Sequence, residues 1–441
     1  MFTKKYCGIL ILVLTLLVLT TAIQAFDPVE ELGDVDFEGA TVTYMCYYDP
    51  FLDFQEDGIY PGRLEAAKDK FNIGEIRLLE VPWGDDLVDT AMSRLMGGDA
   101  EHDVWFFPNP FIWSMAAQGA FYPLNRILPE EFYEGLPAYM SEIFNEITID
   151  GERFAFGLAN DTFELVHFMV WNKDLFEREG LTPADELYLN DEWTWEAMEE
   201  IAIQATRDTT GDGEIDQYGL GSVDIIHMVL ANDGEIIVRD EDGNYIFTMH
   251  ESEEALFALE KIHEWSQILE IMSGTWDLRE FIDGTRAMAR AEMWQLSNIK
   301  ENLEDDWGVV PLPRGPHAEE YRYPVNNIDT VFISASAEKP EGLVALTHFL
   351  WPADEFIQQR EEELTELVPD RTSFEVYMRG REDFTSDSAF FLEGVIGPAW
   401  DTGYLFGQTL SSIAWGGEDA SSELNAVQPA IQTQLNDFFG H

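Results

Sequence analysis

The chain has 441 residues, 46% of them apolar and 13% aromatic, which excludes a disordered polypeptide and leaves length enough for two separately cored domains. Its 85 Asp and Glu against 25 Lys and Arg give a net charge of −60 at pH 7, which excludes nucleic acid and anionic membrane surfaces as partners. The acids are spread along the whole chain, so they read as a surface adapted to a saline or alkaline exterior, where salt screens the self-repulsion.

The first 25 residues read as an export signal. Lys4 and Lys5 supply the positive start, Ile9 to Leu19 is apolar apart from Thr15, and Ala25 offers the small residue of a cleavage site. The run frays into Thr20, Thr21 and Gln24 before reaching the roughly 20 apolar residues that a membrane span needs. Cys7 precedes the apolar run, so no lipid-anchor cysteine is in place, and Cys46 becomes the single thiol of the mature chain.

Strands and helices then alternate. Ala40 to Tyr48 is strand-like, Leu64 to Phe71 a short helix, and Ile76 to Val81 a second strand. Asp85 to Met96 is an amphipathic helix stopped by Gly97-Gly98; Asp103 to Phe107 is a third strand, followed by a helix ending near Gly119. Such alternation implies an α/β fold with a parallel sheet covered on both faces. Ligands on these sheets bind beyond the carboxyl ends of the strands, which places Asp49, Trp83 to Asp85 and Asn109 to Trp113 at a candidate site.

The middle of the chain is more helical, with Thr194 capping Trp195 to Thr206 and Ser252 capping a helix to about Leu269. Strand-like segments return at Phe168 to Trp171, Ala287 to Arg290, Trp307 to Val310 and Thr330 to Ile333, and a last helix covers Ser421 to Phe438. No Pro/Ser-rich linker divides the chain, so two domains would be joined by more than one crossing.

Between these elements, Asp208, Thr210, Asp212 and Asp216 fall at positions 1, 3, 5 and 9 of a calcium loop, with Gly213 at the sharp turn and the Glu214 carbonyl at position 7. Position 12, where a bidentate Glu belongs, is Gly219, so a structural calcium ion would be held weakly; the other reading is a tight Asp/Gly turn. No other cofactor is implied. The catalytic search finds no phosphate-binding Gly-rich loop, no Gly-x-Ser-x-Gly elbow and no paired histidines at metal-ligand spacing.

Aromatic faces stack on the apolar faces of sugar rings while Asp and Asn bond the hydroxyls, so a sugar pocket needs both residue types together. Trp83-Gly-Asp85, Phe107-Pro-Asn109 with Trp113, Asn160-Asp161, Trp294 and Trp400-Asp401 offer that mix. Trp195, at a helix start, and Trp265, in an apolar stripe, read as packing.

Several stretches in order resemble the family 1 extracellular solute-binding proteins of ABC importers, the group that includes maltodextrin-binding protein. They are Asp103-Val-Trp-Phe-Phe, Ala117 to Leu124, Gly151 to Leu158, Val170 to Phe176, Trp193 to Met198, Phe281 to Met288, Trp307 to Pro313 and Ile333 to Ser336. The resemblance implies a two-lobed periplasmic-binding-protein fold, each lobe a mostly parallel sheet flanked by helices, with a cleft between them. Lobe one is expected at 36–158 plus 309–338 and lobe two at 159–308 plus 339–441. Trp294, six residues after Met288, stands where sugar-binding members place a ring-stacking Trp. By the same resemblance Phe107 and Asn109 should face the cleft, as should Asn160 and Asp161 at the first crossing.

The implied function is capture of a carbohydrate, without catalysis, by an exported monomer that delivers it to an ABC transporter permease from a periplasm or cell surface. The rival readings are a secreted glycoside hydrolase, which would also need aromatics and acids, and a receptor for cationic peptides or polyamines.

Overall fold

The computed structural model describes residues 26–56, 58–136, 148–149, 151–156, 167–274, 276–324, 330–385 and 392–440. The expected export signal therefore lies outside the described residues, as do Asn160 and Asp161.

Two sheets organise the chain, and their strands are labelled here in chain order. The first sheet holds β1 (Thr41–Cys46), β2 (Glu75–Glu80), β3 (Asp103–Phe107), β4 (Ala155–Phe156) and β9 (Thr330–Ile333), in the spatial order β2-β1-β3-β9-β4. The second holds β5 (His167–Asn172), β6 (Tyr218–Leu220), β7 (Arg286–Glu292) and β8 (Trp307–Pro311), in the order β8-β5-β7-β6. β1 pairs in parallel with β2 and β3, and β7 with β6. Each sheet has one reversed strand. β9 runs against β3 and β4, and β5 runs against β7 and β8.

The reversals follow from how the chain changes sheets. It leaves the first sheet after β4, at the edge where β1–β3 end, and enters the second at His167, which pairs with Glu292 at the end of β7. A strand entered at the edge where its neighbours finish must run opposite to them. The return crossing repeats this geometry, because β8 ends at Pro311 and β9 begins at Thr330 opposite Phe107, the last residue of β3. Both crossings thus join the carboxyl edges of the two sheets.

The strands read as continuous apolar runs because both faces are covered. In β5, Phe168 and Val170 face one apolar cluster while Met169 and Trp171 face another, the two-residue period of a strand placed between two cores. The helices follow the caps legible in the sequence. Thr194 accepts from the amide of Ala197 and Ser252 from that of Ala255, and helix Asp85–Gly97 ends on left-handed Gly98.

The pairings move the expected lobe boundaries. Val309 to Pro311 belong to the second sheet, through β8 against β5, and not to lobe one. Helix Pro340–Leu350, expected in lobe two, lies on lobe one. Its Thr347 hydroxyl meets the Tyr44 hydroxyl at 3.1 Å, and a Cβ on Gly342 would sit 2.6 Å from the Val35 side chain. The chain then crosses a third time. Helix Arg371–Glu382 packs on β8, where the Ser373 hydroxyl accepts from the Val309 amide at 2.9 Å. Among the described residues no helix is long and apolar enough to cross a membrane.

Candidate functional site

Residues just past the carboxyl ends of the strands gather where the crossings run. On the first sheet, β1 ends before Asp49, β2 before Trp83 and β3 before helix Asn109–Ala117. Trp83 is 44% exposed, its ring edge-on to Phe111 at 5.4 Å and tilted against Trp400 at 6.0 Å; Trp400 is 58% exposed. These three rings form one aromatic surface. Asp49 is spent on its own turn, accepting from the Phe51 amide at 2.9 Å and the Gln55 side chain at 3.4 Å. Asp85 and Asn109 each open a helix at this edge, Asp85–Gly97 and Asn109–Ala117.

Two expected site residues do not face the cleft. Phe107 is fully buried among Trp105, Phe121 and Phe332, all within 6.4 Å ring to ring. Its strand is buried on both faces, so even the last side chain is enclosed. Trp113 is 1% exposed and packs edge-on against Tyr245, Phe438 and Phe439, at 6.3, 6.4 and 5.3 Å. It is a knob from a lobe-one helix seated in an aromatic socket of lobe two. Trp195 and Trp265 are buried 5.2 Å apart, as packing residues should be.

The second sheet's edge is chemically richer. β7 ends in Arg290, Ala291 and Glu292, and helix Met293–Asn302 starts at once, bringing Trp294 to the surface at 47% exposure. Trp294 tilts 49° against Trp276, at 6.3 Å, and Trp276 is 64% exposed. Glu292 accepts from the Trp294 indole N–H at 2.5 Å and from Arg290 at 2.6 Å, while His167 Nε2 stands 3.7 Å away. Beyond β6, Asp224 caps helix Ile225–Ala231, and its Oδ1 lies 3.0 Å from His227 Nδ1. The His167 and His227 rings stack at 3.5 Å, linking the Glu292 and Asp224 ends of the network.

Environment separates the carboxylates here. Burial opposes ionisation of Asp224, but His227, Arg290 and His167 more than offset it and hold the carboxyl far below the usual range. Glu393 goes the other way. Burial and the neighbouring Asp224 carboxylate push its pKa well up. Glu393 opens helix Glu393–Ile396, which packs on helix Asn109–Ala117 of lobe one. A continuous line of contacts therefore runs from Trp83 through Phe111, helix Glu393–Ile396 and Asp224 to Glu292 and Trp294. The two aromatic pairs are thereby linked through the ionic network across the contact between the lobes.

Sequence reasoning reached Phe111 within the stretch Asn109 to Trp113 but missed Asp224, His167, His227, Trp276, Arg290, Glu292 and Glu393. The rule that found Trp83, applied to the ends of β6 and β7, picks out Asp224 and Glu292.

The calcium-like loop lies before β6, at the opposite edge of its sheet. Asp208 accepts from the amides of Thr210, Gly211 and Gly213 at 3.0, 2.6 and 2.7 Å, and Asp216 from the Thr209 amide at 2.7 Å. The Gly213 and Gly211 amides lower the pKa of Asp208, as the Thr209 amide does that of Asp216. Asp212 accepts from the Glu214 amide at 2.9 Å. Among the described residues no three His, Cys, Asp or Glu side chains converge as a metal site.

Comparison with known proteins agrees with this architecture. Residues 63–389 match the family described as bacterial extracellular solute-binding protein, about three quarters of the chain. No curated protein sequence matches. Among solved structures, an ABC substrate-binding protein of Listeria monocytogenes in complex with cycloalternan is 15% identical, with 91% of this chain and 99% of that one covered and a TM-score of 0.64. The cyclic α-maltosyl-1,6-maltose binding protein of Arthrobacter globiformis is 14% identical, with coverages of 90% and 99% and a TM-score of 0.66. UgpB of Mycobacterium tuberculosis, in complex with glycerophosphocholine, is 15% identical, with coverages of 90% and 99% and a TM-score of 0.64. At these identities the likeness is one of fold, and glycerophosphocholine differs in chemistry from the two sugars in those names.

Proposed function

The chain belongs to the bacterial extracellular solute-binding proteins, and from that premise we propose that it captures a carbohydrate of one or more rings in the inter-lobe cleft and delivers it to an ABC transporter permease. The observation that carries the reading is the pair of exposed aromatic surfaces, Trp83 with Trp400 and Trp276 with Trp294, linked through the polar groups Asp224 and Arg290. Sugar rings need apolar faces to stack on and acceptors at their rims, and this cleft offers both. Lobe closure about the crossings would cover the ligand, the hinge motion for which such binding proteins are a standing example.

The reading is capture without chemistry. A glycoside hydrolase needs two carboxylates free to act on one bond. Asp224 caps a helix and pairs with His227, while Glu292 holds Trp294 and Arg290. The protein would work as a monomer at a cell surface or in a periplasm.

For the loop at Asp208, calcium would be held by Asp208, Thr210, Asp212, the Glu214 carbonyl and Asp216, as a structural ion remote from the cleft. Three of these carboxylates already serve backbone amides, so the loop's turn does not depend on the ion.

The test is a panel of sugars, polyamines and peptides followed by Trp fluorescence and melting temperature. A sugar that raises the melting point and is recovered intact supports capture. Turnover of a glycoside overturns it, and a response confined to polyamines or peptides reassigns the ligand class.

A further inference from the structure

The two tryptophans of the second-lobe wall come from different segments, one in the loop after Thr275 and one at the start of helix Met293–Asn302. Nothing in their sequence spacing fixes their mutual angle. Two side chains bear on it, Gln295 through the backbone of Trp276 and Glu292 through the indole of Trp294. Gln295 is 3% exposed, which is unusual for Gln and requires its amide to be satisfied at both ends. Its oxygen accepts from the Glu292 amide N–H at 2.9 Å, and its nitrogen donates to the Trp276 carbonyl at 3.0 Å. One buried amide therefore ties the backbone carrying Trp276 to the residue that ends β7. Glu292 adds the second tie, taking the Trp294 indole N–H at 2.5 Å while Arg290 grips its other oxygen at 2.6 Å. The indole's one donor is thereby consumed, and Trp294 can offer a ligand only its faces.

We propose that Glu292 and Gln295 are positioning residues that lock the Trp276–Trp294 pair at its observed angle, and that this lock sets the ligand selectivity of the cleft. An unlocked indole has two free χ angles to lose when a ligand binds, and a locked one has already lost them. Glu292 and Gln295 also form the capping box of this helix, but Met293, Leu296 and Ile299, which are buried, anchor it, so loss of one capping side chain does not unseat it. The selectivity half of the proposal rests on the carbohydrate reading above; the locking half does not.

The experiment uses that separation. Two indoles this close couple their electronic transitions, and the resulting circular-dichroism couplet depends on ring distance and angle. It is recorded on ligand-free protein and assigned by its loss in Trp276→Phe. Gln295→Met and Glu292→Ala should abolish the couplet, and Glu292→Gln, which keeps an acceptor for the indole, should retain part of it. Melting points should stay within a few degrees of the parent. For two sugars that the parent binds unequally, the first two substitutions should narrow the ratio of their affinities roughly tenfold, and neither should narrow it further in a Trp294→Ala background. An unchanged couplet in Gln295→Met and in Glu292→Ala overturns the lock whatever the ligand is. A lost couplet with an unchanged affinity ratio overturns the role in selectivity. If no sugar binds the parent, the carbohydrate reading fails by itself, and the couplet still decides the lock.

Discussion

The two walls of the cleft are built on equivalent strand ends but by different means. On the first lobe, Trp83 and Trp400 meet by ring contact, and the nearby Asp49 turns back on its own loop. On the second, the Trp294 indole and the Trp276 backbone carbonyl are each tied by a hydrogen bond into a network of Arg290, Glu292, Gln295, His167, His227 and Asp224. Preorganised groups lose less entropy on binding than loose ones. On the carbohydrate reading proposed above, the second wall would read the ligand and the first would close over it.

That asymmetry is most exposed by the tryptophans themselves. Trp294→Ala should cost about 2 kcal/mol of affinity, roughly thirtyfold, because it removes a fixed stacking face at the centre of the site. Trp83→Ala should cost about 1 kcal/mol, roughly fivefold, since its neighbours can shift into the space. Titration calorimetry with the sugar found in the panel measures both. Equal losses would make the walls equivalent partners and end the distinction drawn between them.

The sequence carried the first wall better than the second. Trp83 followed a strand whose end was legible, and the strand-end rule placed it correctly at the sheet's edge. Trp294 stood among several aromatic and polar regions and was set at the site by resemblance, and its partner Trp276 carried no signal, because the tie between them is a buried glutamine donating to a carbonyl 19 residues away in sequence. Phe107 and Trp113 were misplaced for a related reason. Their burial depends on Phe332 and on Phe438 and Phe439, partners more than two hundred residues distant. Local pattern predicts that a strand ends; it does not predict what later covers the end. The longer strands and helices such as Trp195–Ala205 and Glu253–His263 were legible because they obey a local period or carry a local cap, whereas the short β4 and β6 offer too few residues for a period to show.

Glu393 sharpens the comparison from the junction between the walls. Its carboxyl is raised in the folded protein, so folding holds a proton that the unfolded chain releases near pH 4.3, the ordinary value for Glu. Its contribution is therefore fully present below that pH and is lost as pH rises toward the folded pKa. Asp224 has the opposite sign: its depressed carboxyl stabilises the fold above about pH 4, and that is lost only on strong acidification. Glu393→Gln removes the first effect and leaves the second. The melting point of this variant should exceed the parent's by a few degrees at about pH 8 and match it at about pH 4. A variant less stable at pH 8 would show that the ionised carboxylate has a cationic partner, and that the junction belongs to the ionic wall.

The smallest effect is expected from calcium, and its smallness has content. The Asp208 loop precedes β6, whereas the binding wall lies past the far end of the same strand. Its carboxylates already satisfy the turn amides, and position 12 is Gly219, so an ion adds charge neutralisation without setting the shape. With a dissociation constant near 1 mM, as in weak extracellular sites, 1 mM calcium contributes about 0.4 kcal/mol, or about 1 °C in melting temperature. Ligand affinity should be the same in calcium and in chelator. A chelator that weakened the ligand would mean that the second wall takes its rigidity from a bound ion, and not from the hydrogen bonds of Glu292 and Gln295.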